Sequence, residues 1–262
     1  MAIFIPKKTD YIQTTIKDTP KRLIKQGVYE SFDTSLLGVG DLSTPSKSIE
    51  SLCAVFDLQG FTHFCSQIEP HLSVPVFLNS FVDWLMFQIR DEMKKEAHPE
   101  GIELWCPLPF YVKYLGDGLL VVWDITNTKN TIARNIIVSC TIICNNYKRK
   151  FFPEISKKVV DPPPILRCGI ARGTVLSVGN GNDYIGSCIN MAARLQKLPG
   201  ITFAFNRRGI ILEGEKISAS LANEIVTKKV SIRGIGEGEL VCIKKVEYNL
   251  LKAKDKKFYV DV

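Results

Sequence analysis

Residues 110–123, FYVKYLGDGLLVVW, carry the clearest strand and turn pattern in this chain. Two β-prone runs, Phe110–Leu115 and Leu119–Trp123, flank the tripeptide Gly116-Asp117-Gly118. Strand-forming residues on both sides of a Gly-Asp-Gly turn predict a β-hairpin. The tip of this hairpin presents a carboxylate, that of Asp117.

The segments on either side of the hairpin predict further strands and long helices. An apolar run at Leu52–Leu58 reads as a buried strand, and Ile165–Ala171 reads as another. Apolar residues recur at helical spacing from about Val74 to Lys95, and a second helix is predicted over Thr131–Lys150. Long helices that alternate with hairpin strands indicate an α+β fold, with one sheet and helices on one face.

Shorter elements complete the prediction. We expect a helix at Ile189–Leu198 and strands at Val241–Val246 and Phe258–Val260. A short helix is predicted near Pro20–Ser31. Residues 1–47 form an N-terminal extension that ends in a Gly/Ser/Pro-rich linker, and residues 48–262 form the main domain.

The composition limits the classes of function. An apolar content of 45% with 23% charged residues in 262 residues is typical of a globular protein with a real core. The net charge of +7 includes no basic arm, so it favours a small polyanionic substrate over nucleic acid. We expect no secretory signal, since the N-terminus lacks an apolar core, and no membrane span, so the expected location is the cytoplasm. The eight cysteines include no Cys-x-x-Cys pair, which argues against a zinc site.

Two acidic segments point to a divalent cation. In Phe56-Asp-Leu-Gln-Gly-Phe-Thr62, Asp57 leaves the end of the buried strand, and Gly60 lets backbone amides approach an anion. Asp117 lies at the hairpin tip. Two carboxylates from neighbouring strands give the oxygen-rich, incomplete shell that magnesium accepts while phosphates fill the other positions.

A third segment contributes an amide and a guanidinium. In Gly186-Ser-Cys-Ile-Asn-Met-Ala-Ala-Arg194, Asn190 and Arg194 are four residues apart and share one helix face. Taken alone, each segment also fits a turn, a cap or plain packing. Those readings do not explain why the segments occur together.

Together the segments resemble the signature of class III adenylate and guanylate cyclase domains. Asp57, Asp117 and Asn190 with Arg194 fall in matching motifs, as do Arg167–Gly173 and Arg233-Gly-Ile-Gly-Glu. The resemblance covers about residues 50–245 and implies a ferredoxin-like βαββαβ palm with additional C-terminal strands. It also implies an enzyme that closes a nucleoside triphosphate into a 3′,5′-cyclic nucleotide and releases pyrophosphate.

The resemblance implies a role for each matching residue. Asp57, Leu58 and Asp117 would bind two Mg²⁺ or Mn²⁺ ions, and Arg194 and Asn190 would act on the α-phosphoryl group and the ribose. A separate set of residues would bind the phosphates: Gly60, Phe61, Thr62 and Arg233. In this family the metal carboxylates and the Asn/Arg pair come from different subunits, so a homodimer with shared sites is implied.

The resemblance also indicates the base. Lys113 and Asp183 match the positions that select adenine, but a donor and an acceptor there also suit cytosine or uracil. The stretch between Gly173 and Gly186 is shorter than usual, which implies a reshaped base pocket. A single cyclase domain with a short extension is similar to the pyrimidine cyclases of Pycsar anti-phage systems, whose cyclic UMP or cyclic CMP activates an effector. We favour that interpretation. The alternatives are an ATP cyclase and an inactive nucleotide-binding module.

Overall fold

The central strand forms because its residues are apolar on both faces. It is β3, Ser48–Gln59, and its positions 51–58 are buried. A strand that is covered on both faces lies inside a sheet, so the predicted strand at Leu52–Leu58 is confirmed and is longer at both ends. The computed structural model describes residues 11–16, 19–210 and 223–262.

The other described elements follow in chain order. The strands are β1 Tyr11–Ile16, β2 Thr19–Ile24, β4 Lys94–His98, β5 Gly101–Leu104, β6 Tyr111–Tyr114, β7 Gly118–Asp124, β8 Ile165–Val178, β9 Asp183–Ile185, β10 Phe203–Asn206, β11 Ile225–Ile232 and β12 Gly236–Lys244. The helices are α1 Gln26–Glu30, α2 Phe61–Phe64, α3 Pro70–Met93, α4 Asn130–Asn146, α5 Phe152–Ile155, α6 Ser187–Leu195, α7 Lys245–Leu250 and α8 Ala253–Lys256.

The main sheet confirms the predicted fold class. Among the described residues it has eight strands, in the order β11-β12-β10-β8-β3-β7-β6, with β9 paired to β8. The elements β3, α3, β6, β7, α4 and β8 follow one another as βαββαβ, and β10, β11 and β12 extend the sheet beyond β8. The pairs β3–β7 and β6–β7 are antiparallel, as the hairpin at residues 110–123 requires. This is the ferredoxin-like α+β palm that the sequence predicts.

The two long helices cover one face of the sheet. Both α3 and α4 confirm their predicted positions, and a π-helical turn, Tyr147–Phe151, continues α4. Alternate residues of β3, Leu52, Ala54 and Phe56, belong to the same core as the buried residues of these helices. The buried set from α3 and α4 includes Phe77, Phe81, Leu85, Ile89, Ile136, Ile137, Cys140 and Ile143.

The short helix α6 packs on the opposite face. Cys53 of β3 points away from the core under α3 and α4, and its Sγ lies 3.5 Å from Sγ of Cys188 on α6. The sheet is therefore covered on both faces in this region. Asp57, also at an odd position of β3, projects on the α6 side.

Three shorter predictions are corrected by the structure. The segment Pro20–Ser31 is helical only over Gln26–Glu30, because its first part pairs with β1 as strand β2. The strand predicted at Val241–Val246 ends at Lys244, where α7 begins. At Phe258–Val260 a single bridge joins Val260 to Lys229.

The chain forms two compact units. The first, here called the palm unit, comprises Ile49–Val175 and Gly186–Val262; the second, the N-terminal unit, comprises Met1–Ser48 and Leu176–Ile185, each as far as it is described. Helix α3 is long and apolar enough to cross a membrane, by length and composition alone. Its buried residues belong to the palm core, and the core helices of globular proteins can be equally long and apolar.

Candidate active site

Asp57 lies at the end of β3, close to the β6–β7 hairpin. In the register of β3 and β7 it pairs with Gly118. The Asp57 residue is 5% exposed, and its carboxylate forms an ion pair with Arg167 of β8. Both Nε and Nη2 of Arg167 donate to the same oxygen, Oδ2, with Nε at 3.1 Å. Among the described residues, Oδ1 accepts no hydrogen bond.

Asp117 occupies the hairpin tip next to Asp57. Its carbonyl oxygen accepts a hydrogen bond of 3.0 Å from the backbone N–H of Leu58, and Leu115 N–H donates to Gly118 at 2.9 Å. The Asp117 residue is half-buried. The structure therefore brings the two aspartates to adjacent strand ends, as the two carboxylates of a metal site require.

Gly118 makes this approach possible. A Cβ at that position would lie 1.8 Å from the carbonyl oxygen of Phe56 and 3.0 Å from Cα of Asp57. No side chain fits between the strands at this point. The second glycine of Gly116-Asp117-Gly118 is thus needed for packing, and Gly116, at φ +95°, supplies the turn.

The donor set at these strand ends fits a divalent cation. Asp57 has one oxygen free of hydrogen bonds among the described residues, and the carboxylate of Asp117 likewise has no hydrogen-bond donor there. Carboxylate oxygens with open positions are the ligands that Mg²⁺ and Mn²⁺ take in proteins. Arg167 holds the carboxylate of Asp57 from one side only.

The loop after Asp57 turns at Gly60. Gly60 adopts φ +91° and precedes the single turn of α2, and its carbonyl oxygen accepts from Phe64 N–H at 3.0 Å. Thr62 is exposed, whereas Phe61 is half-buried and its ring packs against Phe64 and Phe77. The predicted phosphate segment is therefore a tight, partly exposed turn beside the end of β3.

Two glycines of β8 allow α6 to approach the sheet closely. A Cβ on Gly169 would lie 2.2 Å from the carbonyl oxygen of Ala192 and 2.4 Å from the backbone nitrogen of Gln196. A Cβ on Gly173 would lie 3.0 Å from Cβ of Cys188. The sequence Arg167-Cys-Gly-Ile-Ala-Arg-Gly173 thus fits a strand on which a helix lies directly.

Asn190 and Arg194 lie on the outward face of α6. The residues that pack on the sheet are Cys188, Met191, Ala192 and Leu195. At 100° per residue, Asn190 and Arg194 fall on the opposite side of the helix, and both are exposed. The structure therefore confirms that they share a face, and it directs that face away from the sheet that carries Asp57.

The remaining predicted residues lie at separate places. Lys113 is exposed on the edge strand β6, and Arg233 is exposed in the turn between β11 and β12. Asp183 begins β9 in the N-terminal unit, where it is half-buried and its Oδ1 accepts from Tyr184 N–H at 2.8 Å. Lys113 belongs to the palm unit and Asp183 to the N-terminal unit.

Arg167 and the Cys53–Cys188 pair have no role that the sequence alone predicts. Arg167 stood in a matched motif, but nothing in the sequence shows that its guanidinium reaches Asp57. The two cysteines are 135 positions apart, and their contact depends on α6 lying on β3. The hydrogen bond with Cys53 lowers the pKa of Cys188, and the same contact, with burial, raises the pKa of Cys53.

A group of possible metal ligands lies on the β4–β5 hairpin. Glu96, His98 and Glu103 have ligand atoms within 4.8 Å of one another. All three are exposed, and Glu103 already pairs with Lys95 at 2.6 Å. Surface ion pairs of this kind are common, so this group does not compete with the Asp57–Asp117 site.

Comparison with known proteins rests on structure. No family model matches the chain, and no curated protein matches its sequence. Its structure is similar to the crystal structure of the guanylyl cyclase Cya2, with a TM-score of 0.53 and 14% identity over 77% of this chain and 94% of that one. The catalytic core of a rhodopsin-guanylyl cyclase with converted specificity, solved with ATPαS, gives 0.49 and 14% identity over 76% and 98% of the two chains. The guanylate cyclase domain of RhGC from Catenaria anguillulae, solved with GTP, gives 0.47 and 13% identity over 76% and 98%.

The likeness to Cya2 covers about three quarters of this chain and nearly the whole of the solved chain. At this level of identity it establishes the fold, and that fold agrees with the motifs that carry Asp57, Asp117, Asn190 and Arg194. This chain has the fold of a class III nucleotide cyclase catalytic domain.

Proposed function

We propose that this protein is a nucleotide cyclase that converts a nucleoside triphosphate into a 3′,5′-cyclic nucleotide and pyrophosphate. The observation that supports the proposal is the pairing of Asp57 with Gly118 in the strand register, which brings Asp57 and Asp117 together on a cyclase fold. A packing role alone does not require two acidic residues there. Arg167 neutralises the nearly buried Asp57, whereas the neighbouring carboxylate of Asp117 has no ion-pair partner among the described residues, so a bound cation would compensate the second charge.

The protein's own groups would bind and orient the substrate. Asp57, Leu58 and Asp117 would hold two Mg²⁺ or Mn²⁺ ions, which when bound supply Lewis-acid chemistry to the ribose hydroxyl and the phosphates. The backbone of Gly60, Phe61 and Thr62 would face the terminal phosphates. Arg233 would add a positive charge to the same phosphates.

The outward face of α6 would complete the site of a second copy. Arg194 would stabilise charge that develops on the α-phosphoryl group, and Asn190 would orient the ribose. Both side chains are exposed, on the side of α6 that faces away from its own sheet. In the proposed two-fold dimer this face would lie against the partner's aspartates, so each of the two sites would use both chains.

The favoured substrate is a pyrimidine nucleotide, UTP or CTP. Lys113 would donate to the base and Asp183 would accept from it, which disfavours guanine. This hydrogen-bonding pattern also fits adenine, so an adenylate cyclase is the second candidate. With a pyrimidine product, the protein would serve bacterial anti-phage signalling in the cytoplasm, through an effector that binds cyclic UMP or cyclic CMP. In this proposal residues 48–262 form the catalytic domain and residues 1–47 an extension.

Product analysis tests the proposal. The full chain is incubated with Mn²⁺ and each of the four ribonucleoside triphosphates, and products are identified by mass spectrometry. We expect one cyclic pyrimidine nucleotide and pyrophosphate in equal amounts, and no product from Asp117→Asn protein. Cyclic AMP would replace the pyrimidine assignment with the adenylate one. Binding without any product would show an inactive nucleotide-binding module and overturn the proposal.

A further inference from the structure

The strand that carries Asp183 has little support within its own sheet. β9 has three residues, and among the described residues it pairs only with the end of β8. In this register Asp183 faces Val178, Tyr184 faces Ser177 and Ile185 faces Leu176. A two-stranded ribbon of this length is marginal alone, so its position depends on what packs against it.

The N-terminal linker, here residues 39–47, packs along the end of β8, the strand that pairs with β9. Ser177 N–H donates to the carbonyl oxygen of Lys47 at 2.9 Å, and Lys47 N–H donates to Oγ of Ser177 at 2.8 Å. Ser177 is 8% exposed, so both bonds are shielded from water. The linker is thereby fixed to the residue that faces Tyr184, next to Asp183.

The linker also contacts the tip of the hairpin that β8 and β9 form, backbone against backbone. Gly179 has φ +53°, and a Cβ there would lie 1.5 Å from the carbonyl oxygen of Val39. A Cβ on Gly40 would lie 2.9 Å from the carbonyl oxygen of Gly179 and 2.8 Å from Nδ2 of Asn182. Neither glycine tolerates a side chain without moving the linker or the hairpin.

We propose that residues 39–47 act as a positioning segment that holds Asp183, and so determine how strictly the protein discriminates between nucleobases. This inference rests on the function proposed above, in which Asp183 accepts a hydrogen bond from the base. A carboxylate discriminates by hydrogen bonding only when its position is fixed. The linker contacts on Ser177 and Gly179 flank Val178, the residue that faces Asp183.

The test compares Gly179→Ala with Gly38→Ala. Gly38 has a similar backbone conformation, φ +66°, but a Cβ there would meet no atom of the described residues within 4 Å. Both variants therefore carry the backbone strain of alanine at positive φ, and Gly179→Ala alone forces the linker and hairpin apart. Ser177→Ala, which removes one acceptor and keeps the backbone, is the second variant if Gly179→Ala does not fold.

Two measurements are made on each full-length protein. Hydrogen exchange reports the protection of the Ser177 amide. Equilibrium binding of the four 3′-deoxyribonucleoside triphosphates with Mn²⁺ reports base preference, since these compounds lack the attacking hydroxyl. We expect Gly179→Ala to lose the protection of the Ser177 amide and to lower the preference for one base about tenfold. A tenfold change corresponds to one misplaced hydrogen bond to a charged group. Gly38→Ala should keep the protection and the base preference of the wild-type protein. Ser177→Ala should shift both readouts in the same direction.

The outcomes separate this inference from the proposed function. Unchanged protection in Gly179→Ala and Ser177→Ala would overturn the packing argument. Lost protection with an unchanged base preference would overturn the link to Asp183 and leave the cyclase proposal standing. A wild-type protein that binds no triphosphate would overturn the proposed function itself, and this inference with it.

Discussion

Arg167 and Asp57 form an ion pair that leaves one carboxylate oxygen of Asp57 open. Two nitrogens of Arg167 donate to Oδ2, and among the described residues none donates to Oδ1. Arg167 lies near the start of β8 and Asp57 near the end of β3, while Arg172, further along β8, pairs with Glu50 near the start of β3. The two strands therefore run in opposite directions. Arg167 acts as the counter-charge of a nearly buried carboxylate.

Replacing Arg167 by methionine should make the protein more dependent on metal. Asp57 would keep a buried charge with no partner, which costs about 3 kcal/mol in the absence of metal. A bound cation then replaces the lost counter-charge, so the rise in melting temperature on adding Mn²⁺ should be larger than in the wild-type protein. Differential scanning calorimetry with and without Mn²⁺ measures this. Arg172→Met is the matched control, since its partner Glu50 is 43% exposed at the side chain and distant from the site. Equal Mn²⁺ effects in both variants would argue against a metal at Asp57.

The two aspartates should differ in their effect on stability. Asp57→Asn weakens the ion pair with Arg167, and we expect a loss of about 2 kcal/mol of unfolding free energy. Asp117→Asn removes no side-chain hydrogen bond within the described residues and should change stability by less than about 0.5 kcal/mol. Both variants should lose turnover. Urea denaturation without metal, set beside the product assay, measures the two effects. An active Asp117→Asn protein would remove this residue from the site.

Gly169→Ala should destabilise the palm and displace α6. The new methyl group would lie 2.2 Å from the carbonyl oxygen of Ala192, a backbone atom that moves only if the helix moves. We expect a loss of about 1–3 kcal/mol. Gly27→Ala is the control, because Gly27 lies in helix α1 and no described atom lies within 4 Å of a new Cβ there. This variant should be slightly more stable than the wild-type protein. Thermal unfolding followed by circular dichroism compares the two. A Gly169→Ala protein as stable as wild type would show that α6 does not lie as close to β8 as the structure has it.

The sequence predicted the fold well where local pattern and tertiary packing agree. The hairpin around Asp117 has β-prone runs and a turn tripeptide, and α3 and α4 have apolar residues at helical spacing. The helix predicted near Pro20–Ser31 was wrong in its first half. That half pairs with β1, and the segment itself does not reveal this partner. The β4–β5 hairpin was missed because Lys94 and Lys95 suit a helix end equally well.

The residues of the candidate site likewise include some that a local motif predicts and others that only tertiary packing brings together. Asp57, Asp117, Asn190 and Arg194 could be chosen from motifs, because each motif includes the glycine or helix spacing that positions its residue. The Arg167–Asp57 pair joins residues 110 positions apart, and the contact of residues 39–47 with Ser177 and Gly179 links the linker to a distant hairpin. Such relationships depend on the order of strands in the sheet, which spacing along the chain does not encode.

A mixed dimer tests the shared active site most directly. One chain carries Asp117→Asn and the other Arg194→Ala, and dimers that hold one of each are purified through two different tags. We expect about half of the wild-type rate, because one of the two sites then has both an intact pair of aspartates and an intact Arg194. If the mixed dimer is as inactive as either variant alone while the wild-type dimer is active, each site is built within one chain and the two chains share no active site.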